Sequence, residues 1–253
     1  MPVRRSELGA KRLQIVFIDI VGYSRRSTAR QRSLIERFQQ DVLDCLIHVG
    51  DENLPYFASQ GIAWPDDLVK IPTGDGIALS MGYEALPRLA LDFAALFLSR
   101  IHLARSAEPC LKFHAAGWCD CHDYYGVRLG IADGGGFVYR DLNGNRNVAG
   151  KSINTASRIM SIGAAGHLLL TESFCANMLD MTGDHDLSDR LRPLGTIAVK
   201  HGEQVRVVQY IGAPGDAFIN RSPATTLCDS VREYWPESDG RDAARTPTLA
   251  AVS

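Results

Sequence analysis

Residues 13–20, Leu-Gln-Ile-Val-Phe-Ile-Asp-Ile, are β-branched and nearly continuous in apolar character, which predicts a buried strand ended by Gly22. Leu34, Ile35, Phe38, Val42, Leu46 and Val49 recur at helical spacing and predict a helix over 29–49, stopped at Gly50. Residues 51–67 hold Pro55, Gly61 and Pro65 and read as a connection. The segments 68–71 and 77–81 read as a hairpin around Thr73-Gly74-Asp75-Gly76, whose glycines permit the turn. A second helix is predicted over 84–104, apolar at Leu86, Leu89, Phe93, Leu96, Phe97 and Ile101. Residues 105–126 carry no clear period. The stretch 127–141 reads as another hairpin, turning on Gly134-Gly135-Gly136. A helix over 151–162, a strand at 167–171, a helix at 173–180 and strands at 194–200 and 204–211 complete the series. This order predicts an α+β fold, a mainly antiparallel sheet with helices on one side. The expected division is a lead-in over 1–12, one catalytic-sized domain over 13–212 and a weakly ordered tail over 213–253.

Composition narrows the function classes. The chain has 253 residues, 45% hydrophobic and 22% charged, with a formal net charge of -2. No basic field exists to hold a nucleic-acid polymer. No apolar stretch approaches the roughly 20 residues of a membrane span. Met1-Pro2-Val3-Arg4-Arg5 has no apolar run behind it, so it does not read as a signal peptide. Six cysteines without a signal fit a reducing cytoplasm, the expected location.

Two acidic turns carry the chemistry. Phe17-Ile18-Asp19-Ile20-Val21-Gly22-Tyr23-Ser24 and Thr73-Gly74-Asp75-Gly76 each put one aspartate at the end of a β-type segment beside a glycine. Either alone is an ordinary turn. Two carboxylates meeting at strand ends make a site for hard divalent cations, which bring phosphates with them. The segment from Cys110 to Asp123 holds cysteines and histidines, but no C-x-x-C pair, and reads as an ordinary packed segment.

Five stretches in order, FIDIVGYS, KIPTGDGIAL, VRLGIADG, NVAGKSINTASRIM and IAVKHG, resemble the class III nucleotidyl cyclase catalytic domain from about Gln14 to Gly212. The resemblance implies a ferredoxin-like core, a mainly antiparallel sheet flanked by helices. It implies that Asp19 and Asp75, with the Ile20 backbone carbonyl, hold two divalent cations per site, Mg2+ or Mn2+. Asn154 would orient the ribose and Arg158 would stabilise charge on the transferring phosphoryl group; four residues apart on one helix, they face the same way. Lys200 would hold the terminal phosphates. The turn from Val21 to Ser24, with Gly22 and Tyr23 at its centre, would offer backbone N–H groups to the triphosphate. In this family the aspartates and the Asn/Arg/Lys set come from opposite subunits, which implies a head-to-tail homodimer with two shared sites.

Base recognition departs from the adenylate cyclases. Their adenine-reading lysine and aspartate correspond here to Ile71 and Asn147, while Lys70 is offset by one residue and so faces the other side of its strand. The NGNRNVAGKSINTASRIM stretch and the downstream GHLLL resemble the bacterial pyrimidine cyclases of Pycsar antiphage systems. That resemblance implies UTP, or CTP, as substrate, a cyclic UMP or cyclic CMP product, and a separate effector protein that reads it. The competing readings are a purine cyclase with an unusual base pocket and a non-catalytic, cyclase-like nucleotide sensor.

Overall fold

The computed structural model describes residues 10–81, 86–107, 124–198 and 204–224. Its eight strands are β1 (Lys11–Ile20), β2 (Val69–Pro72), β3 (Gly76–Ser80), β4 (Val127–Arg140), β5 (Arg146–Gly150), β6 (Leu168–Thr171), β7 (Leu191–Ala198) and β8 (Gln204–Tyr210). They form one sheet in the order β2-β3-β1-β4-β6-β8-β7, with β5 paired to β4. Only the β4–β6 pairing is parallel. The helices are α1 (Thr28–Glu52), α2 (Leu54–Ser59), α3 (Leu89–Ala107), α4 (Lys151–Ser161), α5 (Glu172–Thr182) and α6 (His185–Ser188), with a short 3-10 turn at Tyr23–Arg25.

Strand alternation sorts the core into two faces. Val16, Ile18 and Ile20 of β1 point to one face and meet Leu34, Phe38 and Leu46 of α1, Phe93 and Phe97 of α3, and Phe174 of α5. Leu13 and Ile15 point to the other, with Val69, Ala78, Val148 and Ala156 of α4. Farther along this second face Ile159 of α4 packs on Leu169, Val205 and Val207. The expectation of helices on one side is therefore corrected: α4 lies opposite α1, α3 and α5. Helical periodicity shows that a face is buried, but not which side of the sheet buries it.

The expected hairpin over 127–141 is also corrected. Gly134, Gly135 and Gly136 run within β4 opposite Leu13, Arg12 and Lys11 of β1. The same pairing draws Lys11 and Arg12, assigned to the lead-in, into β1. Beyond Gly136 the strand changes partner and pairs β5, from Gly136↔Gly150 to Arg140↔Arg146. The chain reverses instead at Asp141, whose carboxylate Oδ1 accepts from the N–H groups of Asn143 at 2.8 Å and Asn145 at 3.0 Å. This hairpin lies over the second face of the sheet. Val138 and Val148 pack with Ile15, Val69 and Ala78, and Arg146 Nη1 donates to the Asp67 carbonyl at 2.7 Å.

Two smaller differences concern connections. The stretch 51–67 contains α2, which buries Phe57. The stretch expected as tail stays packed as far as residue 224: Ile219 and Ala224 are buried, and Gln209 Nε2 donates to the carbonyls of Asn220 at 2.7 Å and Ser222 at 2.9 Å. The predicted metal-free segment from Cys110 to Asp123 lies outside the described residues.

A bare backbone lets α4 rest on β4. A Cβ added to Gly130 would stand 2.4 Å from the Ala156 carbonyl oxygen and 2.8 Å from the Met160 nitrogen, whereas one on Gly135 would meet nothing within 4 Å. Gly130→Ala is expected to lower unfolding free energy by about 2 kcal/mol or more, and Gly135→Ala to change it by less than about 0.5 kcal/mol. Denaturant midpoints of the two variants measure the contrast.

Candidate active site

The site begins where β1 ends. Asp19 pairs in register with Gly76 of β3 on one side and with Arg128 of β4 on the other. Asp75 stands one residue before β3, and its backbone carbonyl accepts the Ile20 N–H at 3.1 Å. The two acidic turns are thus stitched together at one end of the sheet. Gly76 is required by contact: a Cβ there would lie 2.2 Å from the Ile18 carbonyl oxygen. Gly74 turns the chain at φ 92°, in the left-handed region that glycine favours. Asp19 follows Phe17 by two residues, so its side chain emerges on the face that carries α4 and the β4–β5 hairpin.

Asp19 is mostly enclosed, its side chain retaining 17% of its full exposure. Burial pushes its carboxyl above the usual carboxylate range, as does the nearby Asp75, while the Arg128 guanidinium pulls the other way. Arg128 Nε donates to Asp19 Oδ2 at 2.8 Å, and its Nη1 donates to the Ser161 carbonyl at 3.0 Å. Ser161 is the last residue of α4, so one guanidinium joins the strand-end carboxylate to a helix C-terminus, where a cation is favoured. Among the described residues Asp19 Oδ1 and the Asp75 carboxylate have no hydrogen-bond partner. Among the described residues one guanidinium bonds Asp19 and none bonds Asp75, so the two carboxylates carry more negative charge than the described partners offset. An all-oxygen donor set of this kind suits a hard divalent cation rather than zinc or copper. The described residues contain no cluster of three or more His, Cys, Asp or Glu side chains that could bind a metal by themselves.

The turn after Asp19 is tight. Gly22 adopts φ 71° and starts the 3-10 turn. Val21 spends its N–H on the Gly126 carbonyl at 2.9 Å, and Arg25 and Arg26 bond back to Gly22 and Tyr23. Among the described residues, no acceptor meets the N–H groups of Gly22, Tyr23 and Ser24.

On α4, Thr155, Ala156, Ile159 and Met160 are buried, Asn154 is exposed and Arg158 is partly exposed. Neither the Asn154 amide nor the Arg158 guanidinium bonds to a described residue. Ile71 of β2 packs against the second-face cluster beside Phe17 and Ile153. Lys70 turns away, as the one-residue offset predicts, and its Nζ donates to the Pro65 carbonyl at 2.7 Å. Asn147 lies on β5 opposite Tyr139, next to Val148 of the cluster that holds Ile71, and its Oδ1 accepts the Val148 N–H at 2.7 Å. The hairpin thus brings β5 close to β2, but Val148 is the residue that faces the Ile71 cluster, so strand alternation turns the Asn147 side chain to the other side of β5. Lys200 lies outside the described residues. Arg128 was not among the expected site residues. A charged residue in a strand reads as a solvated one, and only its register opposite Asp19 reveals the contact.

No protein-family model matches the sequence, and no curated protein matches it significantly. Solved structures do resemble the fold. The adenylyl cyclase CyaB from P. aeruginosa is 18% identical over 83% of this chain and 98% of its own, with a TM-score of 0.59. The guanylate cyclase domain of RhGC from Catenaria anguillulae, solved in complex with GTP, is 18% identical over 81% of this chain and 100% of its own, with a TM-score of 0.57. The catalytic core of a rhodopsin-guanylyl cyclase with converted specificity, in complex with ATPalphaS, is 19% identical over 81% and 98%, with a TM-score of 0.56.

The raised Asp19 pKa sets a pH dependence. A carboxyl that holds its proton more tightly folded than unfolded stabilises the fold at low pH, and that contribution is lost as pH rises through the folded value. The stability of the wild type relative to Asp19→Asn is expected to fall as pH rises from about 4 to about 7, read by denaturant titration without added metal. Adding Mn2+ at neutral pH is expected to stabilise the wild type and not the variant. In its overall fold, an eight-stranded, mostly antiparallel sheet with helices, the chain is similar to adenylyl and guanylyl cyclase catalytic domains.

Proposed function

We propose that the protein is a nucleotidyl cyclase, converting a nucleoside triphosphate to the 3′,5′-cyclic monophosphate and pyrophosphate. The observation that carries this reading is that Asp19, in register with Gly76, and Asp75, whose carbonyl accepts the Ile20 N–H, come together at one sheet end, with α4, which carries Asn154 and Arg158, on the Asp19 face. Asp19, Asp75 and the Ile20 carbonyl would hold two divalent cations, Mg2+ or Mn2+. Such ions, when bound, favour the alkoxide form of the ribose 3′-hydroxyl and offset charge on the departing phosphates.

The chain's own groups do the rest. In the reaction the 3′-oxygen bonds to the α-phosphorus, the bond from that phosphorus to the bridging oxygen breaks, and pyrophosphate leaves with the electron pair. Arg158 supplies a fixed guanidinium where charge accumulates on the transferring phosphoryl group. Asn154, one helical turn earlier, orients the ribose. Lys200 and the N–H groups of Gly22 and Tyr23, which no described acceptor meets, hold the terminal phosphates. Asn154 is exposed and Arg158 partly exposed, and neither side chain bonds to a described residue, which supports their serving the site of a second copy in a head-to-tail homodimer. The catalytic unit is taken as 13–212, with the packed residues up to 224 as its C-terminal support.

The substrate proposed is UTP, with CTP the nearest competitor. Ile71 offers an apolar wall, and Lys70, which could have read a purine, is engaged elsewhere. Asn147 can present either its amide donor or its acceptor to a pyrimidine edge. The product would be a second messenger, cyclic UMP, read by a separate effector in defence against phage, and the protein would work in the cytoplasm. No helix among the described residues is long and apolar enough to cross a membrane. A purine substrate is the second reading, favoured by the GTP and ATPalphaS complexes of the similar folds.

Purified protein incubated with Mn2+ and each of the four nucleoside triphosphates is expected to yield cyclic UMP as the main product by mass spectrometry. A cyclic purine as sole product would eliminate the pyrimidine reading. Asp75→Asn and Arg158→Ala are each expected to lower kcat by about 100-fold or more with the fold intact by circular dichroism. Unchanged turnover in Asp75→Asn would remove the metal assignment, and absence of any product from the wild type would favour a non-catalytic sensor.

A further inference from the structure

Arg128 holds two things at once. Its Nε grips the carboxylate at the end of β1, and its Nη1 grips the carbonyl at the end of α4. The register of β1 against β4 fixes the first contact, because Asp19 and Arg128 are direct cross-strand partners. The close seating of α4 on Gly130 fixes the second, since it sets the last turn of the helix above Arg128. That last turn begins at Arg158, whose carbonyl accepts the Ser161 hydroxyl at 2.7 Å. The helix carrying the outward-facing Asn154 and Arg158 is therefore tied, through one side chain, to the carboxylate at the metal end of the same chain.

We infer that Arg128 is a positioning residue that couples the two sites of the dimer: loading the carboxylate end of a chain changes the seating of that chain's α4. The inference rests on the head-to-tail reading, in which the carboxylates and the α4 of one chain belong to different sites. A divalent cation beside Asp19 repels the neighbouring guanidinium and competes with it for the same carboxylate. As the Arg128–Asp19 contact weakens, the grip on Ser161 loses its anchor, and the last turn of α4 shifts or loosens. Because that helix serves the opposite site, the state of one site reaches the other without any change at the dimer seam.

Two heterodimers isolate the effect. Differently tagged chains are co-expressed and purified through both tags, pairing Arg158→Ala with either Asp19→Ala or Asp75→Ala. Each heterodimer keeps one complete site, made from the carboxylates of the Arg158→Ala chain and the α4 of its mate. Only the Asp19→Ala mate has lost the anchor of Arg128. Its complete site is expected to turn over about threefold or more slowly than that of the Asp75→Ala heterodimer, at similar KM. Equal kcat in the two would overturn the coupling.

A second readout needs no activity. In the wild type, Mn2+ is expected to speed amide hydrogen exchange over residues 157–162 by about tenfold, and Arg128→Ala and Arg128→Lys are expected to exchange fast there with or without Mn2+. Unchanged wild-type rates, with Mn2+ bound by electron paramagnetic resonance, would overturn the inference, as would absence of Mn2+ binding. If the wild type forms no cyclic product, the cyclase reading fails on its own, and the exchange experiment still decides whether Arg128 links Asp19 to α4.

Discussion

A carboxylate held at the end of a central strand, mostly out of water, is the constraint around which this protein is arranged. Burial disfavours the charged form of Asp19, and among the described residues the Arg128 guanidinium, across the strand pair, offsets part of that cost. A second carboxylate, Asp75, is delivered beside it by the β2–β3 turn. The charge left over defines what the site attracts. An isolated strand-end aspartate would be an ordinary turn residue, but a second carboxylate turn bonded to the next residue, Ile20, makes an oxygen donor set suited to a multivalent cation.

The fold serves that arrangement through close approaches of bare backbone. Gly76 lets β3 reach the Ile18 carbonyl, which sets Asp75 against Asp19, and Gly130 lets α4 settle on β4, which sets Asn154 and Arg158 on the carboxylate face. The opposite face is filled by α1, α3 and α5 around Phe38, Phe93, Phe97 and Phe174. Phe38 meets Phe97 and Tyr125 edge to face at about 6 Å, in the geometry aromatic quadrupoles favour. Asp41 sits beside this packing, bonded by Arg100 Nε at 2.8 Å and by the Tyr125 hydroxyl at 2.8 Å. One face is thus a packed apolar core, while the other carries Asn154 and Arg158, whose side chains bond no described residue.

Much of this was legible in the residue pattern. Continuous apolar character marked β1, helical spacing marked α1 and α3, and Thr73-Gly74-Asp75-Gly76 marked the turn between β2 and β3. What escaped had physical reasons. Glycine permits a turn without demanding one, so the triple glycine read as a reversal, yet β1 pairs with all three residues and keeps them extended. β5 is a short stretch in an Asn- and Gly-rich segment, and its place over the sheet depends on contacts with β2 and its connection that no local pattern records. The side of the sheet that α4 covers is likewise a tertiary choice. Arg128 was hidden because its partner lies 109 residues away in sequence, while its role follows at once from the strand register.

The account stands on the division of one active site between two chains. Homodimers of Asp75→Asn and of Arg158→Ala, each inactive alone, can be mixed and allowed to exchange subunits while product formation is followed. Random exchange makes half of the dimers mixed, each with one intact site, so activity should return to about a quarter of the wild-type value. Activity that stays at the level of the separate variants, with mixed dimers present by native mass spectrometry, would contradict the shared site.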